Sequence, residues 1–174
     1  MKFVCRDKKK HYQADLLLKS AEFLCSRLGI DMAMVRDLSI KIQSLPAKTS
    51  AKLEVKLPSN TSKTKSIILN KDNSLVFSVF MLCHEFVHLK QVLDGRLILV
   101  DSETVQWIDE QGCMETYAIV NVPESEHDAL FEKYRAQPWE SEAYGLQESL
   151  CNEIKSQFKD YQFEVCDGVT IPVF

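Results

Sequence analysis

Nine residues in the middle of an oily run constrain this chain more than any other stretch. Residues 81–89 read Met-Leu-Cys-His-Glu-Phe-Val-His-Leu, with His84 and His88 four apart and Glu85 between them. Leu75, Val76, Phe77, Val79, Phe80, Leu82, Phe86, Val87, Leu89, Val92 and Leu93 make the segment apolar nearly all round, the pattern of a helix buried inside a domain. Asn73 or Ser74 is placed to cap its start, and Gly95 follows its end. Buried polar groups without partners are costly, so two histidines and a glutamate here need a polar reason.

Two reasons present themselves. The plainer is a pair of hydrogen-bonded core histidines. The sharper is a metal. Helix positions four apart lie one above the other, so His84 and His88 can grip one ion, and neutral imidazole is a good zinc ligand. Glu85, one step round, can take a proton from a water on that ion and later hand it to a leaving amine. His-Glu-x-x-His on a helix therefore points to zinc-dependent peptide hydrolysis.

Such a site needs three protein ligands and keeps one position open. The chain has only two other histidines, His11 and His127. No further histidine follows His88 at close spacing, and His127 is expected at the surface, at the start of a polar helix. A carboxylate from the segment after Pro138 is the better candidate. Trp139, Ala143, Leu146, Leu150, Ile154 and Phe158 form a helical stripe from Trp139 to about Tyr161. Glu140 and Glu142 flank that stripe. Two helical residues that far apart differ by about 200°, so both cannot face one ion, and periodicity does not choose between them.

The remaining elements are read from pattern. Residues 11–28 form a helix stopped by Gly29, followed by a short turn over 31–36. Residues 38–43, 53–57 and 66–70 read as three strands of an antiparallel sheet, with 58–62 a loop, and the last strand leads into the His84 helix. Residues 65–70 are either a candidate edge strand, on which an extended peptide could pair beside the metal, or an ordinary interior strand, and the pattern does not choose between them. Residues 96–100 are ambiguous between helix and strand. Residues 104–108 and 115–120 flank Asp109-Glu110-Gln111-Gly112 as a hairpin closed by Pro123, Ser125 caps a helix to about Arg135, and 163–174 form a covering tail. The expected class is α+β, with an antiparallel or mixed sheet on the buried His84 helix and a second, Glu-bearing helix. One domain over 1–174 is expected: an N-terminal helix and strands (1–60), the motif-bearing core (65–160) and the tail (161–174).

His84-Glu85-Phe86-Val87-His88 followed by Pro138-Trp139-Glu140-Ser141-Glu142-Ala143 resembles the small gluzincin metallopeptidases. It is especially similar to single-domain peptidases often encoded by bacteriophages and prophages. The likeness covers roughly residues 65–150. It implies a zincin-like fold, one zinc ion, Glu85 as the catalytic base, and His84, His88 and Glu140 as ligands, since the family's ligand Glu is followed three residues later by a small residue, here Ala143. Glu142 is the second choice. Trp107 matches a tryptophan on the family's hairpin. Many members place Asp or Asn four residues after the ligand Glu; this chain has Tyr144. An oxyanion donor is sought among Tyr117, Tyr134, Tyr144 and His127.

Composition narrows the alternatives. A formal charge of −4 and a pI near 5.6 give no electrostatic footprint for nucleic-acid binding. That argues against a protease acting on DNA-bound proteins. No secretory signal and no apolar run long enough to span a bilayer are read. The six cysteines contain no Cys-x-x-Cys pair and are expected to be reduced and mostly buried, in a cytoplasmic setting. Cys83, beside His84, is expected to pack rather than attack. The partner expected is a protein or peptide substrate, with no nucleic acid and no membrane. The alternative function is a catalytically silent metal-binding module for interaction, regulation or phage assembly.

Overall fold

The computed structural model describes residues 1–5, 13–46, 49–55, 65–118 and 127–161. The chain opens with strand β1 (Lys2–Cys5) and helix α1 (Gln13–Leu28), then a single 3-10 turn (Met32–Val35) whose start is capped by the Asp31 carboxylate on the Ala33 N–H. Strands β2 (Ser39–Gln43), β3 (Ala51–Val55) and β4 (Lys65–Asn70) lead into helix α2 (Leu75–Leu93). Strands β5 (Leu97–Leu99), β6 (Thr104–Ile108) and β7 (Met114–Ala118) follow, then helices α3 (His127–Arg135) and α4 (Pro138–Gln157). The class is α+β.

The first sheet runs in the order β1-β2-β4-β3 and is mixed. β1 and β2 are parallel, β2 and β4 are parallel, and only β3 runs against β4. Of the antiparallel and mixed sheets expected, this is the mixed one, and the antiparallel reading of residues 38–43 with 66–70 is corrected. With α1 between β1 and β2 in sequence, those two strands form a crossover unit, and crossovers produce parallel neighbours. Of the edge and interior readings of 65–70, the interior one holds and the edge one is corrected. β4 lies between β2 and β3, and Lys65 through Leu69 are all buried. Its continuous Ile67-Ile68-Leu69 run is what a strand covered on both faces requires. Among the described residues the outer strands of this sheet are β1 and β3, and β3 is the one beside β4.

Ile40 and Ile42 of β2 stand in register with Ile67 and Leu69 of β4. These four join Leu16, Leu17 and Leu24 of α1, Leu82 and Phe86 of α2, and Ala143, Leu150 and Ile154 of α4 in the main core. Ser74 caps α2 by accepting from the Phe77 N–H, and Gly95, at φ 71°, turns the chain out of it. By length and composition α2 is long enough to cross a bilayer, but 67% of its most apolar window is buried inside the fold.

The second sheet is the antiparallel meander β5-β6-β7, so the ambiguous 96–100 segment is a strand. Gly112, at φ 82°, allows its hairpin turn. This sheet carries a smaller core in which Val92, Leu97, Val105 and Trp107 meet Trp139 of α4. Trp107 and Trp139 have ring centroids 6.3 Å apart. α4 is thus held at its first turn by one core and along its length by the other. It departs from expectation at Leu146, which is 40% exposed, and in ending at Gln157, before Phe158. The loop expected at 58–62, Pro123, the Ser125 cap and the 163–174 tail lie outside the described residues.

Candidate metal centre

α2 and α4 pack along each other and bring three side chains together. His84 Nε2 lies 3.0 Å from His88 Nε2, and Glu140 places Oε2 3.2 Å from His84 Nε2 and Oε1 3.3 Å from His88 Nε2. These are the only three His, Cys, Asp or Glu residues among those described whose donor atoms converge in this way, and all three are buried. Glu142 does not join them. Both of its oxygens take the guanidinium of Arg96, at 3.1 and 2.8 Å, while that arginine also lies 4.5 Å above the Trp107 ring. Arg96 comes from the turn after α2.

The triangle fits a cation. A tetrahedral ion with ligand distances of about 2.0–2.1 Å separates its donors by about 3.3 Å, close to the spacings seen. Glu140 Oε2 is buried and makes no hydrogen bond despite its closeness to His84. An anionic oxygen left without a donor is expensive unless something positive faces it. Two imidazoles and one carboxylate are also the ligand count of catalytic zinc sites. The group could therefore hold a metal ion.

Without an ion, protons take part of its role. Burial alone would raise the Glu140 carboxyl, but the two imidazoles outweigh it and hold the group down to about 2. Burial likewise disfavours a charged His88, yet Glu140, Glu85 and Gln91 together lift it to about 9. A proton on His88 Nε2 can then bridge to His84 Nε2, in the place a cation would claim.

Glu85 is 5% exposed. Burial raises its carboxyl pKa, the neighbouring imidazoles counter this in part, and the backbone N–H of Leu53 donates to it. That contact locates the site at the rim of the first sheet. Ser50 accepts from the Asn70 N–H, so by alternation Lys52 and Glu54 face β4 while Ala51, Leu53 and Val55 direct their backbone groups to the outer edge. No other strand pairs with that edge among the described residues.

The remaining neighbours were less legible. Tyr134 donates to Glu140 Oε1 at 2.6 Å, and burial with the adjacent carboxylate keeps its phenol protonated. Tyr144 offers no acceptor to His84; its ring packs against that imidazole at 4.7 Å, and burial pushes its hydroxyl up to about 12. His84 Nδ1 is left without a partner. Tyr117 is engaged by Glu115, and the His127 side chain is not among the described residues. Gln91 was missed altogether. Its Oε1 lies 2.9 Å from His88 Nδ1, and its Nε2 donates to the Trp139 carbonyl at 3.0 Å. The available signal was an amide inside an apolar helix, three residues after a histidine.

Cys83 turns away from the site. It is fully buried, and its contact with Cys151, reinforced by burial, raises its thiol pKa far above the ordinary value, as befits a packing residue. Cys25 and Cys151 are also buried and free, and Cys113 is free and exposed.

Compared with protein-family models, curated proteins and solved structures, the chain matches none of them. What the site does must be argued from its own geometry.

Proposed function

We propose that the chain is a zinc-dependent peptidase with a zincin-like arrangement, in which His84, His88 and Glu140 hold the ion and Glu85 is the base. The observation that carries this reading is the donor triangle with a buried carboxylate beside it. The likeness to gluzincins noted in the sequence points the same way. Zinc bound there would supply Lewis acidity, polarising a peptide carbonyl and drawing the pKa of a water toward neutrality.

The protein's own residues supply the rest. An extended substrate laid along the outer edge of β3 would meet the outward-facing backbone groups of Ala51 and Val55, on either side of Leu53, whose N–H is tied to Glu85. Glu85 receives the proton of the attacking water. The same proton then passes to the departing amine as the C–N bond breaks. Tyr134 steadies Glu140 from outside. A peptide or protein substrate and a cytoplasmic setting, the host's if the chain is phage-encoded, belong to the same reading.

A second reading, a metal-bearing module that cleaves nothing, is favoured by one observation. The ligands are only 3–8% exposed.

Digestion of a random peptide library by the zinc-loaded protein separates the two. Cleavage by the parent, lost by about 10²-fold or more in Glu85→Gln with zinc retained, supports the peptidase. Zinc uptake with no cleavage in either protein supports the silent module.

A further inference from the structure

The two histidines are supported unequally. His84 Nδ1 is buried with no partner, whereas His88 Nδ1 meets Gln91 Oε1 at 2.9 Å. The orientation of the Gln91 amide is set from its other end. Nε2 donates to the Trp139 carbonyl, so Oε1 must be the atom that faces His88. A carbonyl oxygen only accepts, so His88 Nδ1 must carry a proton. In the neutral ring this leaves the Nε2 lone pair directed at His84 and Glu140. Gln91 is 0% exposed, which leaves no room for water to take over either bond.

The same amide reaches across to the other ligand helix. Trp139 immediately precedes Glu140 in the first turn of α4. One side chain therefore fixes the tautomer of a ligand on α2 and holds the backbone beside the ligand on α4. We infer that Gln91 is a positioning residue for the metal centre, setting cation affinity through the hydrogen bond from His88 Nδ1. The inference rests on the metal reading above. Outer partners of ligating histidines orient the ring and raise its basicity, and losing one weakens metal binding by about 10–100-fold.

The test compares zinc affinity, by competition with a chromophoric chelator, for the full chain and two variants. Gln91→Met removes both hydrogen bonds at similar volume. Gln91→Glu keeps an acceptor for His88 and gives up the donor to Trp139. Thermal unfolding of the zinc-free proteins is followed in parallel. Zinc affinity is expected to fall about 10–100-fold in Gln91→Met and to return within about threefold of the parent in Gln91→Glu. Rescue by an acceptor alone, while the zinc-free Glu variant stays less stable than the parent, marks positioning rather than general bracing. If Gln91→Met does not fold, Gln91→Asn replaces it, since its amide stops a methylene short of His88, and the same loss is expected. Equal zinc affinity in all the proteins overturns the role of Gln91 and leaves the metal centre standing. Equal weakening in Met and Glu variants also overturns it, because the Trp139 tether would then be what matters. A parent that takes up no zinc overturns the metal reading and this inference together.

Discussion

α2 and α4 each contribute to the buried His84, His88 and Glu140 group that could hold a metal ion, yet they are built on opposite plans. α2 is apolar on nearly every face, and from Leu82 to Leu89 every residue is buried. α4 is amphipathic, with Glu148, Ser149 and Asn152 exposed and a buried stripe that includes Glu140 and Gln147 as well as Ala143, Leu150 and Ile154. On α2, burial is decided by the helix as a whole, so its polar residues must find partners within the protein. On α4, a polar residue can face either water or the core, and neighbouring elements decide which. The contrast teaches where a metal centre can be recognised in advance and where it cannot.

The difference can be broken first by truncation. Phe86 lies at 0% exposure between the two histidines, and Phe86→Ala should destabilise the fold by about 3–5 kcal/mol in denaturant titration. If α2 were less central than described, the loss would fall below about 1 kcal/mol. A second, graded effect sharpens the contribution of Glu140 and His88 themselves. In chelator, with no metal bound, Glu140 is lowered from 4.5 to about 2, so its stabilisation is present above pH 4.5 and fades as pH falls toward 2. His88 is raised from 6.5 to about 9, so its stabilisation is present below pH 6.5 and fades as pH rises toward 9. Melting temperatures of the metal-free chain should therefore peak between about pH 4.5 and 6.5, and the His88→Gln variant should lose the alkaline decline. A decline unchanged in that variant would remove His88 as its source. The smallest effect belongs to the outer face of α4, where Leu146→Ala should change stability by less than about 0.5 kcal/mol because Leu146 is 40% exposed.

The same contrast explains what could be read from residue order alone. α2, its limits and the pairing of His84 with His88 were legible because a 3.6-residue period and an uninterrupted apolar segment leave little choice. The β6-β7 hairpin was legible from Gly112 between two alternating runs. The sheet order was not. Residues 65–70 show that they are buried on both faces, but whether their neighbours run parallel depends on β1 and its crossover, and Met1-Lys2-Phe3-Val4 carries no alternation that marks a strand. The choice between Glu140 and Glu142 was not legible from periodicity either. It is made by Arg96, 46 residues before Glu142, whose guanidinium takes both oxygens of that side chain. Gln91 escaped notice for a related reason: its partner on α4 is the Trp139 carbonyl, a backbone group with no signature in the sequence.

Metal content after equilibrium dialysis against zinc, in Glu140→Ala and Glu142→Ala, bears most directly on the convergence of two helices upon one ion. Near one zinc per chain in the parent and in Glu142→Ala, with loss in Glu140→Ala, is the result predicted. Zinc retained by Glu140→Ala, or lost from Glu142→Ala while its fold persists, would contradict it.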